Sequence, residues 1–113
     1  MSTINNLLSF LCVSYNHEKY IEDCIKSIWE NDYKNIEIFV LDDGSTDNSL
    51  CILNKLKEQS PFPMQIFSQN NTGKIGANFN KLINKANGNF ISIIACDDKL
   101  VENSLNVKMQ ESL

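Results

Sequence analysis

The sequence predicts an α/β fold, a doubly wound and mostly parallel sheet of about four strands with helices on both faces. Apolar segments of strand length alternate along the chain with segments whose apolar residues recur at the helical period. The loops between them are short, as in right-handed strand–helix–strand crossovers. Two of the strands end directly on paired acids, Asp42-Asp43 and Asp97-Asp98, which indicates a ligand site at the carboxyl edge of a parallel sheet.

The first half of the chain predicts two strands and two helices. An almost continuous apolar run from Leu7 to Tyr15 is typical of a strand that is covered on both faces. From Glu18 to Glu30 the apolar residues share one helical face, and Ile36 to Leu41 is the second strand. Asp47 is interpreted as a residue at the start of the second helix rather than a ligand contact. The inward-facing residues of that helix are Leu50, Leu53 and Leu56.

A third strand and a third helix follow. Pro61 and Pro63 end the second helix and lead into a short strand from Met64 to Ser68. The polar stretch from Gln69 to Lys74 predicts a loop. The apolar side of the helix after this loop consists of Ile75, Phe79, Leu82, Ile83 and Ala86. Gly88 is expected to end that helix.

The last part of the chain predicts one more strand and one more helix. Phe90 to Ala95 is an apolar run of strand length that leads into the second acid pair. From Val101 to Leu113 a thin apolar stripe predicts a helix. At 113 residues the chain is long enough for a single domain.

Composition excludes several classes of protein. The formal net charge is −4 and all ten basic residues are lysines, whereas a nucleic-acid surface needs a basic stripe. No apolar run approaches the ~18 residues of a membrane span, so none is predicted. The expected location is the cytoplasm, or the inner face of the membrane as a peripheral protein. The four cysteines are interpreted as free thiols in a reducing compartment, and three of them lie inside predicted strands or on an apolar helix face. The four are Cys12, Cys24, Cys51 and Cys96.

The acids at the strand ends point to a site for a divalent cation and a nucleotide. Mg²⁺ is usually held by one or two carboxylates plus substrate phosphates, so Asp98 is the candidate metal ligand, and Asp97 would bind either a sugar hydroxyl of the nucleotide donor or the metal through water. Tyr15 can lie against a base, and Asp42 or Asp43 can accept hydrogen bonds from a base or a ribose. The first strand-to-helix turn has no glycine, and no P-loop sequence is present. Classical dinucleotide binding and P-loop hydrolysis are therefore not predicted.

Six segments, taken in order and with their spacing, carry a family resemblance between about Leu8 and Leu100. They are Val13-Ser14-Tyr15-Asn16, Ile38-Phe39-Val40-Leu41-Asp42-Asp43-Gly44-Ser45-Thr46-Asp47, Asn71-Thr72-Gly73, Asn80, Ala86-Asn87-Gly88-Asn89-Phe90-Ile91 and Asp97-Asp98. On these segments the chain resembles the family 2 glycosyltransferases of the GT-A fold. The resemblance implies the nucleotide-sugar-binding half of such an enzyme, with a UDP-sugar as the first choice of donor and Mn²⁺ or Mg²⁺ as cofactor.

The resemblance also implies a role for each matched residue. Tyr15 would border the base, and Asp43, with Asp42, would contact the base or the ribose. Asp98, with Asp97, would form the DxD-type metal motif. The other residues expected to bind the nucleotide are Asn16, Asn71, Gly73, Lys74 and Asn80.

Two positions and the length depart from the family pattern. Ala95 replaces the first acid of an Asp-x-Asp-Asp motif, and Phe79 stands where many members carry arginine. In the family the catalytic base and the acceptor site lie downstream of the metal motif, so we expect residues 1–113 to be one truncated donor-binding domain without a catalytic base.

His17 is interpreted as a solvated residue at the start of the first helix. A glycan or lipid-linked acceptor is expected for the full-length enzyme, and exposed apolar surface is expected to favour homo-oligomers.

Two other functions fit parts of the pattern. A non-catalytic nucleotide-binding or interaction module would keep the fold without the transfer half. A receiver-like signalling domain also has a doubly wound sheet with an acidic pocket, but its paired acids follow the first strand and its phosphorylated aspartate follows the third. Here those strands end on Tyr15-Asn16 and Ser68-Gln69, so the receiver is the weaker alternative.

Overall fold

The computed structural model describes residues 7–96 and the backbone of residues 107–109. The elements are β1 (Leu8–Ser14), α1 (Ile21–Trp29), β2 (Ile36–Asp43), α2 (Ser49–Gln59), β3 (Met64–Gln69), α3 (Ile75–Lys85), β4 (Phe90–Ala95) and β5 (Val107–Met109). They form one sheet in the order β3-β2-β1-β4-β5. The first four strands are parallel, and β5 pairs antiparallel with β4. The predicted α/β fold with a mostly parallel sheet is confirmed.

Helices cover both faces of the central strands. Because successive side chains of a strand point to opposite faces, one face of β1 and β2 packs against α1 and α2 and the other against α3. The strand residues on the first face are Phe10, Cys12, Ile38 and Val40. Those on the second face are Leu11, Val13, Phe39 and Leu41. Burial of both faces explains why these two strands are nearly continuous apolar runs. Within the described part of the chain, no helix is long and apolar enough to cross a membrane.

Two expectations about the second half of the chain are wrong. Where a helix was expected from Val101 to Leu113, Val107–Met109 form the edge strand β5; the other residues of that range lie outside the described residues. Pairing with the open edge of β4 satisfies backbone groups there, and such tertiary context overrides a weak helical pattern. Gly88 does not end α3, because the helix already ends at Lys85.

Gly88 belongs instead to a hydrogen-bonded network at the amino edge of the sheet. A Cβ atom at this position would lie 2.5 Å from the Ser9 hydroxyl oxygen, and the Gly88 N–H donates to that oxygen at 3.0 Å. The Ser9 hydroxyl in turn donates to the buried carboxylate of Glu37 at 2.6 Å. Glu37 also accepts the Asn87 N–H at 2.8 Å. The connection from α3 to β4 is therefore fixed to β1 and β2 at the edge opposite the predicted site.

The sheet order places the predicted site at a topological switch point. From β1 the chain adds β2 and β3 on one side, and then crosses to add β4 on the other. A crevice therefore opens beyond the carboxyl ends of the central strands. The register aligns Ser14 of β1 with Asp42 of β2, and Val13 with Ala95 of β4. The loops after β1, β2 and β3 leave the sheet at this same edge.

We predict that the Glu37 network contributes measurably to stability. Glu37→Ala leaves the Asn87 N–H and the Ser9 hydroxyl without their acceptor, so the free energy of unfolding should fall by about 1–3 kcal/mol. Urea denaturation followed by circular dichroism measures this change. Glu58→Ala, which removes an exposed carboxylate from α2, is the matched control and should change stability by about 0.5 kcal/mol or less. Equal effects of the two substitutions would contradict the prediction.

Candidate functional site

A cavity of about 360 Å³ opens at the carboxyl edge of the sheet, which is a volume typical of sites for small molecules. Its lining comes from the ends of β1 and β2, the loop after β3 and the beginning of α3. The lining residues are Val13, Tyr15, His17, Asp43, Asn71, Gly73, Ile75 and Phe79. Four of the residues predicted to bind a nucleotide are therefore gathered around one cavity: Tyr15, Asp43, Asn71 and Gly73. Tyr15 is 43% exposed, so part of the residue is accessible to a ligand.

The carboxylate of Asp43, at the end of β2, holds the loop that follows β3. Asp43 is only 3% exposed. Its Oδ1 accepts hydrogen bonds from Gln69 Nε2 at 2.8 Å and from the Thr72 N–H at 3.0 Å. Its Oδ2 accepts the Gly73 N–H at 3.1 Å, and the Thr72 hydroxyl lies at 3.4 Å. Because a carboxylate oxygen has two lone pairs, Oδ2 keeps capacity for a donor from a ligand in the cavity.

These hydrogen bonds set the charge of Asp43. Burial by itself raises the pKa of a carboxyl group, but the bonds from Gln69, Thr72 and Gly73 outweigh burial, so the pKa of Asp43 lies below its ordinary value of 3.8. The group is therefore ionised at neutral pH and acts only as an acceptor. A ligand group that contacts it must supply an N–H or an O–H.

The turn after β2 and the loop after β3 approach each other closely at a glycine. Gly44 has a φ of 73°, and a Cβ atom there would lie 2.4 Å from the backbone nitrogen of Asn71. The Asn71 side-chain amide donates to the carbonyl oxygen of Asp43 at 2.9 Å. Gly73 also has a positive φ, 67°, but a Cβ atom there would meet nothing within 4 Å. Of these two glycines, only Gly44 has neighbours so close that the packing itself requires the absence of a side chain.

The turn after β1 is joined to the turn after β2 by reciprocal hydrogen bonds. Asn16, with a left-handed φ of 53°, donates its N–H to the Ser45 hydroxyl at 2.9 Å and accepts the Thr46 N–H on Oδ1 at 2.8 Å. Ser45 is held by Asp42, whose oxygens accept the Ser45 N–H at 3.0 Å and its hydroxyl at 2.5 Å. Asp42 is 2% exposed and does not line the cavity. The structure thus places Asn16 and Asp42 where they support the two turns.

Asp47 and Glu18 extend this connection. Asp47 accepts the N–H of Ser49, the first residue of α2, at 2.9 Å and the N–H of Glu18 at 3.2 Å. The Glu18 carboxylate accepts the Asn48 N–H at 2.8 Å. Burial is the largest single influence and raises the pKa of Asp47, but the hydrogen bonds from Ser49 and Glu18 together outweigh it and hold the pKa below its ordinary value of 3.8. Asp47 therefore lies at the start of the second helix, as its sequence position indicates.

Sequence reasoning missed several residues of this edge. His17 is half-buried and lines the cavity, so its interpretation as a solvated residue is wrong; its Nδ1 is buried without a partner among the described residues. Gln69 bridges Asp43 to Asn78, whose Oδ1 accepts from Gln69 Nε2 at 2.8 Å. Asn78 is 1% exposed. Its position one helical turn before Leu82, on the inward side of α3, was the signal that could have identified it as a buried polar residue.

The remaining predicted site residues fall into two groups. Lys74 and Asn80 are exposed and do not line the cavity. Asp97 and Asp98 lie outside the described residues. Cys96, directly before Asp97, donates its N–H to the carbonyl oxygen of Val13 at 3.3 Å, and Val13 lines the cavity. Cys96, the residue after β4, is therefore hydrogen-bonded to a residue of the cavity wall.

The chain is similar to known proteins over nearly all its length. The profile of the family described as "Glycosyl transferase family 2" matches residues 9–108. The chain belongs to this family. "Glycosyltransferase GlyG" of Streptococcus pneumoniae serotype 4 is 34% identical over 108 residues, which are 96% of this chain and 36% of GlyG. The "GalNAc(5)-diNAcBac-PP-undecaprenol beta-1,3-glucosyltransferase" of Campylobacter jejuni is 30% identical over 105 residues, which are 93% of this chain and 34% of that protein.

Solved structures share the fold. Residues 1-349 of S. aureus TarS in complex with UDP superpose with a TM-score of 0.75 at 29% identity, over 81% of this chain and 28% of that one. The complex of the same protein with UDP-GlcNAc gives a TM-score of 0.75. The predicted α/β fold of the GT-A type is confirmed. The chain spans about a third of the length of the curated relatives that it matches.

We predict a graded response to alanine at three glycines of this edge. Gly44→Ala combines left-handed strain with a clash against Asn71 and should lower the free energy of unfolding by about 2–5 kcal/mol. Gly73→Ala introduces the strain alone, about 1–2 kcal/mol. Gly76→Ala, in α3 with open space around it, should stabilise by about 0.5–1 kcal/mol. Chemical denaturation of the three variants tests this order, and a Gly44→Ala protein as stable as Gly76→Ala would contradict it.

We also predict that Asp43 makes the protein sensitive to acid. Because its pKa is lower in the folded than in the unfolded chain, the unfolded state binds more protons at acidic pH. The stabilisation is complete well above the ordinary pKa of 3.8 and is lost as the pH falls below that value toward the lower folded pKa. Urea denaturation between pH 7 and pH 3 should show a shallower loss of stability in Asp43→Asn than in the parent protein. Parallel curves for the two proteins would refute this role.

Proposed function

We propose that residues 1–113 form a single domain that binds the nucleoside diphosphate part of a sugar donor, and that the whole protein transfers the sugar to a glycan or a lipid-linked acceptor. The observation that carries this proposal is the cavity where the Tyr15 ring and the ionised Asp43 carboxylate meet. Family membership supports it. UDP is the first choice of nucleotide, because TarS, at 29% identity, binds UDP and UDP-GlcNAc.

The chemistry of the cavity suits a uracil ring. An exposed aromatic side chain such as Tyr15 offers a stacking surface that every base can use. Asp43 adds selectivity, since an ionised carboxylate accepts hydrogen bonds and uracil offers a ring N–H. Asn71 and Gly73 lie on the same wall. We assign Asp43 rather than Asp42 to the base or the ribose, because Asp43 lines the cavity and Asp42 does not.

The remaining assignments concern the rest of the donor. Lys74 directly precedes α3 and is proposed to reach the diphosphate, and Asn80 is proposed to contact the donor from the exposed side of the same helix. Asn16 contributes by fixing the turn that follows Tyr15.

A lipid-linked acceptor would place the whole protein at the inner face of the membrane. Self-association is proposed through exposed apolar side chains such as Ile93, which is 42% exposed.

A divalent cation, Mn²⁺ or Mg²⁺, is proposed for Asp98 with Asp97. The carboxylates of Asp42 and Asp43 are engaged by protein donors, and three thiols form the one group with metal-ligand spacing among the described residues. The second acid pair together with diphosphate oxygens matches the usual ligand set of Mg²⁺. When bound, the ion would stabilise the departing diphosphate as a Lewis acid.

Thermal unfolding with UDP and Mn²⁺ tests the proposed donor site. A ligand that binds only the native state raises the midpoint, so the parent protein should show a rise that needs both components. Tyr15→Ala removes the stacking surface, about 1–3 kcal/mol, and should weaken UDP binding about 5- to 150-fold. Tyr20→Ala is the matched control, because Tyr20 is 51% exposed and lies outside the cavity. Equal weakening by both substitutions would contradict the assignment of the base to Tyr15.

The metal assignment has its own pair of variants. Asp98→Ala should abolish the part of the midpoint shift that depends on Mn²⁺, whereas Asp32→Ala removes an exposed carboxylate from the loop before β2 and should leave the shift intact. No shift with any nucleoside diphosphate and metal would favour a non-catalytic interaction module. Covalent labelling by a small phosphodonor would favour a receiver-like domain.

A further inference from the structure

Three buried thiols form a cluster beneath the carboxyl edge of the sheet. Cys12 lies on β1, Cys24 on α1, and Cys96 directly follows β4. All three are fully buried, and their Sγ atoms lie within 4.8 Å of one another. The four cysteines of the chain, all within the described residues, form no disulfide. Residues distant in sequence are thus brought together by the pairing of β1 with β4 and by the packing of α1 on the sheet.

The spacing of the three sulfurs suits a soft centre with three ligands. Bonds of about 2.3 Å to sulfur, in the pyramidal geometry of a trivalent centre that carries a lone pair, place three sulfurs roughly 3.5 Å apart, so the cluster needs to contract by at most about 1.3 Å. Thiolates select soft ions over the hard cations that carboxylates hold. No carboxylate or imidazole among the described residues joins the three sulfurs at this spacing, so a four-ligand zinc site is not assembled from them.

Burial in the apolar core favours a bound centre that has no net charge together with its three thiolates. The cluster belongs to the apolar core between α1, α2 and the sheet, where an uncompensated charge is costly. Three thiolates around a monovalent or divalent ion would leave a net negative charge in that core. Three thiolates around a trivalent centre leave none. In the unliganded protein the Cys12 thiol is neutral as well, because hydrogen bonds with Cys24 and Cys96, together with burial, raise its pKa.

We propose that Cys12, Cys24 and Cys96 form a binding site for a trivalent thiophilic metalloid of the arsenic(III) class. Arsenous acid, As(OH)₃, reacts with three thiols to give one As(SR)₃ group and three water molecules. Three As–O and three S–H bonds break, three As–S and three O–H bonds form, and nothing is oxidised or reduced. Because the thiols are fully buried, the reaction requires local separation of α1 from the sheet and is slow. The adduct cross-links α1, β1 and the end of β4, directly before Asp97.

Arsenite itself is the probe, and the exposed Cys51 on α2 supplies the matched control. Cys51→Ser should still bind one arsenic per chain after long incubation and gel filtration, with a raised unfolding midpoint. X-ray absorption at the arsenic edge should show three sulfur neighbours and no oxygen. In the Cys51→Ser background, Cys12→Ala, Cys24→Ala and Cys96→Ala should each weaken arsenite binding about 100-fold or more, because one of three linked attachments is lost.

Three results would overturn the proposal. The first is arsenic bound to fewer than three sulfurs in Cys51→Ser, a measurement that remains decisive if a core variant fails to fold. The second is unchanged affinity in any folded single variant. The third is binding of Zn²⁺ or Cd²⁺ by the cluster at concentrations where arsenite does not bind, since this would show that burial does not favour the neutral adduct.

Discussion

The candidate site depends on one buried carboxylate and the hydrogen-bond donors that stabilise its charge. Asp43 ends β2 inside the protein, and its charge is tolerated because Gln69, Thr72 and Gly73 donate hydrogen bonds to it. A buried charge without such donors would cost several kcal/mol. The donors all come from the end of β3 and the loop after it, so satisfying the charge also fixes one wall of the cavity. The hydrogen bonds that stabilise the fold at this edge therefore also form one wall of the cavity.

The two edges of the sheet have different roles: the amino edge is structural, and the carboxyl edge carries the candidate site. At the amino edge, the Glu37 carboxylate accepts the Asn87 N–H and so fixes the connection between α3 and β4. Gly88 permits the close approach of this connection to Ser9. At the carboxyl edge, Asp42 and Asn16 fasten two turns, while Tyr15 and Asp43 remain directed to a cavity. Several family motifs are thus structural in this protein. Their role is to hold the loops at fixed positions, so that few side chains are needed for contact with a ligand.

The fold was predictable because the nearly continuous apolar runs of β1 and β2 indicate strands that are buried on both faces. The edge that carries the candidate site was predictable because the carboxyl ends of parallel strands lie at one edge of the sheet. The roles of Asn16 and Asp42 were not, since their hydrogen bonds join turns about 30 residues apart, a relation that local pattern does not encode. His17 was misinterpreted because local pattern likewise does not show that it lines the cavity. The edge strand β5 was mistaken for a helix because its pairing with β4 is decided by tertiary contact.

The central claim is that a nucleotide and a cation meet at the carboxyl edge. Paramagnetic broadening by Mn²⁺ measures this most directly, because the broadening of backbone amide signals in a ¹⁵N-labelled protein falls steeply with distance from the ion. With UDP present, the signals of Tyr15, Asp43 and Cys96 should broaden first, and those of Glu37 and Asn87 at the opposite edge should stay sharp. Broadening centred on Glu37 and Asn87, or broadening that UDP does not change, would contradict the account.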